Sequence, residues 1–288
     1  MIMRTVLAGT AVAALAALTA CGGTGHAAAG SPFGTSPSRP VVPLAPSSGA
    51  SGSSAPSVPS APTGSGSPAA PPKSTSGDNV PPGGTAKASP VLEYYTGAKD
   101  RSIALTFDDG PNPVWTPRIL AVLARYHAHA TFCEIGPNAR ANPAMVKAVR
   151  AAGDRLCDHT VSHNEAMTKW SAARQTYEIA GAQAMIEAAG GSGTQVGWFR
   201  APGGDFSPLN RSIAAAHGLR PLAWSVDSED WKRPGVGAIL GNVHRELTRG
   251  SIVLMHDGGG DRSQTVAALK QLLPQLVHAG YSFDFPAK

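Results

Sequence analysis

The segment SIALTFDDGPNP, residues 102–113, contains two adjacent carboxylates whose placement suggests chemistry. Alternating apolar residues predict a strand that ends at Asp108 and Asp109, and Gly110 and Pro111 then turn the chain. Neighbouring carboxylates repel each other, and burial raises the cost of their charge. A divalent cation reverses that repulsion, so one aspartate could bind a metal while its neighbour acts as a general base.

A pair of histidines could complete such a metal site. His159 and His163 stand four residues apart in CDHTVSH, and on a helical turn this spacing would put both imidazoles on one side. Such a pair alone is more often structural or exposed. Two histidines and one carboxylate, however, form a recurring ligand set for catalytic zinc that leaves coordination positions open. Together with the aspartates, the pair therefore predicts a metal site.

Seven strand candidates and the helical patterns between most of them must position these groups. The strand candidates are residues 102–107, 129–134, 155–158, 197–200, 221–226, 251–256 and 281–285. Strands that alternate with helices predict an α/β fold with a parallel sheet and right-handed crossovers. Periodicity alone does not choose between a closed barrel and an open sheet.

Polar residues recur where these strand candidates end. Besides the two aspartates and His159, the strand ends carry Arg200, Asp227 and His256. In a parallel barrel the C-terminal ends of all strands lie on one face, where active sites are built. The pattern therefore predicts a single site on that face.

The N-terminal segment predicts export. Residues 1–20 carry one arginine and an apolar run that is too short for a membrane span, which is typical of a secretory signal. The run ends in Leu18-Thr19-Ala20-Cys21, which resembles a bacterial lipobox and predicts a lipid anchor on Cys21. The alternative is an ordinary secreted protein that loses Cys21 with its signal.

A long spacer of low complexity follows. From Gly22 to about Pro90 the chain is mostly Ser, Pro, Gly and Ala, a composition that cannot bury enough apolar surface to fold. We therefore predict a lipoprotein signal peptide at 1–21, a disordered linker at 22–97 and one folded domain at 98–288.

The charge distribution argues against one class of partner. The formal net charge is +5, and both signs are scattered through the folded part without a basic run. Nucleic acid is therefore excluded as the expected partner.

Two cysteines remain once Cys21 is assigned to lipid. Cys133 and Cys157 fall in consecutive strand candidates, and neighbouring strands can bring two Cα atoms within reach of a disulfide. An oxidising compartment favours that bridge. The alternative is two buried thiols.

Five motifs in order resemble one family. TFDDGP, HTVSH, RAPGG, DSEDW and LMH together resemble the polysaccharide deacetylases with a NodB homology domain, carbohydrate esterase family 4, and the resemblance covers residues 101–284. It implies a distorted (β/α)7 barrel and a hydrolase that removes acetyl groups from a polysaccharide. It also implies one divalent metal ion, with Zn²⁺ favoured and Co²⁺ as the alternative. We further expect a monomer.

The resemblance also implies roles for single residues. Asp108 would be the general base, oriented by Arg200, and Asp109 would bind the metal with His159 and His163. His256 would be the general acid, kept protonated by Asp227. The substrate pocket would be formed by Pro202, Gly203, Trp231 and Leu254.

Three positions do not follow the family's usual pattern or have no assigned role. Gly203 stands where the family often has an aromatic residue, which predicts a wider groove. Asp158 replaces a commonly uncharged residue and would either orient a histidine or face solvent. Asp257 precedes a glycine, a turn signal, and is predicted to be a loop residue.

These features predict an enzyme that faces the cell wall and deacetylates N-acetylated glycan, either peptidoglycan or a chitin-type polymer. One alternative is an acetylxylan esterase that acts on O-acetylated polysaccharide. Another, from a different class, is a lipoprotein that binds glycan without turning it over.

Overall fold

The computed structural model describes residues 87–98 and 100–287. The predicted signal peptide, Cys21 and most of the predicted linker lie outside the described residues. Within the described part of the chain, no helix combines the length and the apolar character needed to cross a membrane.

A curled parallel sheet forms the centre of the domain. Its strands are β1 (Ser102–Gly110), β2 (Ala130–Glu134), β3 (Arg155–Asp158), β4 (Val196–Phe199), β5 (Arg220–Pro221), β6 (Val226–Asp227), β7 (Ile252–His256) and β8 (Ser282–Phe283). The strand order is β5-β4-β3-β2-β1-β7-β6, and β8 pairs with β1. This is the predicted distorted (β/α)7 barrel, present as a half-barrel.

Helices cover the outside of this sheet. They are α1 (Thr116–Arg125), α2 (Gly136–Ala141), α3 (Pro143–Ala151), α4 (Ala172–Gly190), α5 (Pro208–Ala216), α6 (Val236–Glu246) and α7 (Ser263–His278). Proline occupies the first turn of α1, α2, α3 and α5, where its missing N–H costs nothing. The helices bury apolar faces against the sheet.

Strand β1 shows how the two sides of the sheet differ. All nine of its residues are buried, as expected for the central strand of a parallel sheet. Ile103, Leu105 and Phe107 join the large core beneath the helices. Ala104 joins a smaller cluster inside the barrel. Because side chains alternate along a strand, the side chain of Asp108 points to the same face as that of Ala104, the interior of the barrel.

A disulfide joins two neighbouring strands on the interior side of the barrel. Cys133 of β2 and Cys157 of β3 are direct partners in the strand register, and the structure joins them with Cα atoms 4.1 Å apart. The pair is the one that the sequence predicted.

The predicted strand at 221–226 is wrong as a single element, because the structure divides it into β5 and β6. Residues Leu222 and Ala223 use their carbonyl oxygens to accept hydrogen bonds from the side chain of Arg200. These two carbonyls bind the Arg200 side chain, and the chain leaves the strand ladder between β5 and β6.

The folded part begins before residue 98, so the predicted linker boundary is too late. Glu93 bridges to Leu222, next to β5, and Tyr95 bridges to Ser251, next to β7. The N–H of Thr96 also donates to the carbonyl of Gly250. The segment 93–96 therefore belongs to the folded domain.

Candidate active site

A cleft of about 470 Å³ opens at the C-terminal ends of the strands. It is lined by Asp108, Asp109, His159, His163, Glu165, Ala201, Gly203, Trp224, Asp227, Trp231, Leu254, His256, Gly259 and Arg262. The structure thus brings together most of the residues that the strand ends and the motifs predicted.

A break in the strand brings both aspartates into this cleft. Regular alternation would point Asp108 and Asp109 to opposite faces of the sheet. The register with β2 shifts between Asp108 and Gly110, and Asp109 has a φ of 73°. Such bulges redirect side chains beside active sites. The irregularity therefore lets two consecutive carboxylates serve one site.

Asp109, His159 and His163 form a set of converging metal-binding atoms. Asp109 Oδ1 lies 3.5 Å from His159 Nε2 and 3.0 Å from His163 Nε2, and one ligand atom from each residue lies within 4.8 Å of the others. His159 Nδ1 hydrogen-bonds the carbonyl oxygen of Arg200 at 2.8 Å, which leaves Nε2 free to bind an ion. The donor set fits a zinc-type ion with open coordination positions.

The electrostatics of these ligands have different causes. Burial lowers the pKa of His159, although the nearby aspartates oppose that shift. Burial also disfavours charge on His163, but its hydrogen bond to Asp109 raises its pKa overall. For Asp109, burial is outweighed by the histidines, which hold its pKa below the usual range. The site therefore favours an ionised carboxylate ligand.

The loop between the two histidines is not a helical turn, so that prediction is wrong. Thr160 and His163 have φ angles of 70° and 50°, outside the right-handed helical region. Asp158 Oδ1 accepts the N–H of Thr160, and Thr160 Oγ1 accepts the N–H of His163. Side-chain hydrogen bonds, rather than helical ones, bring the imidazoles together.

Arg200 holds Asp108 in place from the barrel interior. This fully buried side chain donates to Asp108 Oδ1 at 2.7 Å and to Thr106 Oγ1 at 2.9 Å. The other carboxylate oxygen, Oδ2, lies 3.7 Å from His159 Nε2. Asp108 thus turns its second oxygen towards the predicted metal ligands.

The partner of His256 is Asp230, so the predicted pairing with Asp227 is wrong. His256 Nδ1 lies 2.7 Å from Asp230 Oδ1, and the N–H of His256 donates to Asp230 Oδ2. Asp227 instead accepts the N–H of Glu229. A φ of 53° at Glu229 reverses the chain direction here, which carries Asp230 back beneath the imidazole.

The Asp230 contact changes the acidity of His256. Burial favours the neutral imidazole, but the hydrogen bond and the charge of Asp230, with smaller contributions from Asp108 and Asp109, outweigh burial and raise the pKa of His256 to about 9. Asp230 is itself buried and also accepts from Thr265 Oγ1. His256 is therefore protonated at neutral pH.

The predicted pocket residues occupy different positions around the cleft. Trp231 stands at the rim with 49% of its surface exposed, and Leu254 lies in the wall. Gly203 lines the cleft with a φ of 60°. Pro202 is buried and is not among the residues that line the cleft.

The two unassigned aspartates are both fully buried. Asp158 does not face solvent, because its carboxylate holds the histidine loop, and burial raises its pKa well above the usual range. Asp257 lies in the loop after β7, as predicted. Its carboxylate accepts from Thr116 Oγ1, and burial raises its pKa to about 7.

Sequence reasoning missed Asp230 and five of the residues that line the cleft, Glu165, Ala201, Trp224, Gly259 and Arg262. Asp230 could have been considered as the partner of His256, because DSEDW contains a second aspartate directly before Trp231. Trp224 and Arg262 also line the cleft but stand outside every motif. Arg262 donates to the carbonyls of Gly258 and Gly259, which supports the loop that follows His256.

Known proteins are similar to this chain in sequence and in fold. The sequence profile described as polysaccharide deacetylase matches residues 96–222. The peptidoglycan-N-acetylglucosamine deacetylase of Bacillus cereus is 38% identical over 192 residues, which are 64% of this chain and 85% of that protein. A chitooligosaccharide deacetylase of Sinorhizobium fredii is 39% identical over 194 residues, which are 62% and 87%.

One similar solved structure is a CE4 family pseudoenzyme from Bacillus anthracis. It is 30% identical, with a TM-score of 0.62 over 68% of this chain and 67% of that one. The cleft, its converging groups and these similarities agree with the motif resemblance. This chain belongs to the polysaccharide deacetylase family.

Proposed function

We propose that this chain is a metal-dependent hydrolase that releases acetate from N-acetylated glucosamine polymers, with peptidoglycan favoured over chitin-type glycan. The observation that carries the proposal is the convergence of Asp108, the Asp109–His159–His163 set and His256 in one cleft. The similarity of this chain to a peptidoglycan deacetylase and to a chitooligosaccharide deacetylase supports the substrate class.

Asp109, His159 and His163 would hold the metal ion, for which Zn²⁺ is favoured and Co²⁺ is the alternative. A divalent ion bound there would supply Lewis acidity for amide hydrolysis. The chain's own residues would then have to remove a proton from water, stabilise the negative charge that develops on the acetyl carbonyl oxygen, and protonate the leaving nitrogen.

Asp108 is proposed as the general base. Arg200 occupies Asp108 Oδ1, so Oδ2 remains to take the proton from the attacking water. A backbone N–H near Gly203 is proposed to stabilise the oxyanion that forms on the acetyl carbonyl oxygen.

His256 is proposed as the general acid. Its Nδ1 is held by Asp230, so Nε2 is left to donate a proton to the leaving amine. Because its pKa is raised to about 9, the imidazolium is available at neutral pH. Leu254 and Trp231 would form apolar walls for the acetyl methyl group.

Acetate release by the full-length chain loaded with Zn²⁺ tests this proposal. The substrates are peptidoglycan, chitin oligomers and acetylated xylan, and Asp108→Asn is the matched control. Acetate from N-acetylated glycan that disappears in the variant would support the deacetylase and identify its polymer.

The same assay separates the alternatives. Release from acetylated xylan only would favour the esterase. No release from any substrate, with metal bound, would favour the glycan-binding lipoprotein, a role compatible with the pseudoenzyme among the similar structures. The retention of Asp108, His256 and the complete metal-binding set supports catalysis instead.

We also propose that the protein is exported and anchored to the membrane through lipid on Cys21, and that it acts there as a monomer. The motif around Cys21 supports the anchor. Incorporation of labelled fatty acid that Cys21→Ala abolishes is the expected result. Release of unlabelled protein into the medium would favour simple secretion.

A further inference from the structure

The loop that joins the two metal-binding histidines depends on side chains for its shape. Asp158 and Thr160 bind the N–H groups of Thr160 and His163, at either end of the loop. The N–H groups of Val161 and Ser162, in its middle, point away from the cleft towards α4. What binds these central groups therefore decides where His163 stands relative to His159.

Glu178 of α4 binds the middle of the loop. A single carboxylate oxygen, Oε2, accepts the N–H of Val161 at 3.2 Å, the N–H of Ser162 at 2.8 Å and the hydroxyl of Ser162 at 3.0 Å. The other oxygen, Oε1, pairs with Arg174 at 2.8 Å. Glu178 is completely buried and is not among the residues that line the cleft.

The helix that carries Glu178 is a fixed part of the domain. α4 packs against α2, α3 and α5, and its Gly181 approaches the side chain of Val161 closely. A buried carboxylate that accepts three hydrogen bonds cannot be removed without leaving the loop N–H groups unsatisfied. Glu178 thus connects the packed helical layer to the loop that carries His163.

We propose that Glu178 is a positioning residue for the metal site, which sets metal affinity by fixing the loop 159–163. The inference rests on the proposed metal-dependent function, and it concerns a residue that no motif contains. Loss of a group that hydrogen-bonds a metal ligand typically weakens metal binding by about 10- to 100-fold. Glu178 binds the backbone between the two histidines, so we expect an effect at the lower end of that range.

The test measures binding of Co²⁺ alone by the full-length chain, in competition with a chelator, together with the visible absorption of the bound ion. We expect Glu178→Ala to weaken Co²⁺ binding by about tenfold and to change the spectrum. Glu178→Gln keeps one acceptor oxygen but no charge, so it should lie between Glu178→Ala and the wild type.

Gln175→Ala is the matched control. Gln175 is also completely buried on α4, but it donates to the carbonyl of Trp170 rather than to the loop. This variant should lose stability while its Co²⁺ affinity stays within about twofold of the wild type. Thermal unfolding of the metal-free proteins shows which variants fold, and Glu178→Gln carries the test if Glu178→Ala does not.

Two results would overturn the inference. One is a folded Glu178→Gln protein with wild-type Co²⁺ affinity and spectrum. The other is an equal loss of affinity in Gln175→Ala, which would indicate general destabilisation. Because no glycan enters this assay, an intact Glu178 effect without acetate release would refute the proposed reaction and leave the positioning role standing.

Discussion

The cleft contains two largely buried imidazoles whose Nδ1 atoms meet different partners and whose pKa values shift in opposite directions. On the metal side, His159 Nδ1 meets the backbone carbonyl of Arg200, and burial lowers the pKa of this histidine. On the opposite side, His256 Nδ1 meets the carboxylate of Asp230, and its pKa rises to about 9. Burial thus dominates at His159, whereas the carboxylate of Asp230 outweighs burial at His256.

Removing a ligand from the metal side should have the largest effect. His159→Ala leaves two of the three donors, so we expect bound metal to fall to background and acetate release to fall about a thousandfold or more. Metal content and acetate release measure this. His244→Ala, which removes an exposed imidazole on α6, is the control, and retained activity in His159→Ala would contradict the metal assignment.

Removing the charge beside His256 should have the next largest effect. Asp230→Asn keeps an oxygen near Nδ1 but loses the negative charge, so the pKa of His256 should fall towards or below its ordinary value of 6.5. We expect acetate release at neutral pH to fall about 100-fold. The alkaline limit of the rate profile should move to lower pH, and an unmoved limit would refute His256 as the acid.

The same contact should make stability depend on pH. Because the pKa of His256 is higher in the folded protein, its stabilisation is fully present below about pH 6.5 and is lost as pH rises through about 9. The loss is on the order of 3 kcal/mol. Denaturant unfolding of the metal-free protein should show it between these values, and Asp230→Asn should show a flatter curve over the same interval.

Substitution of the other motif aspartate should have the smallest effect. The carboxylate of Asp227 accepts a hydrogen bond from Glu229 and does not hold His256. Asp227→Asn should therefore reduce acetate release less than about fivefold, or about 1 kcal/mol. It should also leave the pH limit unchanged. A larger effect than that of Asp230→Asn would restore the pairing expected from sequence.

Sequence could predict which groups enter the cleft because parallel strands present their C-terminal ends on one face. That rule was sufficient to place Asp108, His159 and His256 in the cleft. The choice between Asp227 and Asp230 depends on a left-handed residue, Glu229, which spacing does not reveal.

Two other features could not be predicted from the sequence because they depend on contacts between distant parts of the chain. The division into β5 and β6 follows from the side chain of Arg200, which binds carbonyls more than twenty residues away. Glu178 resembles any acidic residue on a helix until α4 is packed against the histidine loop. In both cases, the decisive hydrogen bond joins distant parts of the chain.

The short segment at 93–96 also covers one edge of the sheet. Glu93 donates its N–H to the carbonyl of Pro221 and accepts the N–H of Ala223, so it occupies the open edge beside β5. Unpaired strand edges recruit strands from other molecules and promote aggregation. A chain cut at residue 98 would keep every residue of the cleft but expose that edge. Solubility of the isolated domain would thus depend on a few residues that take no part in its chemistry.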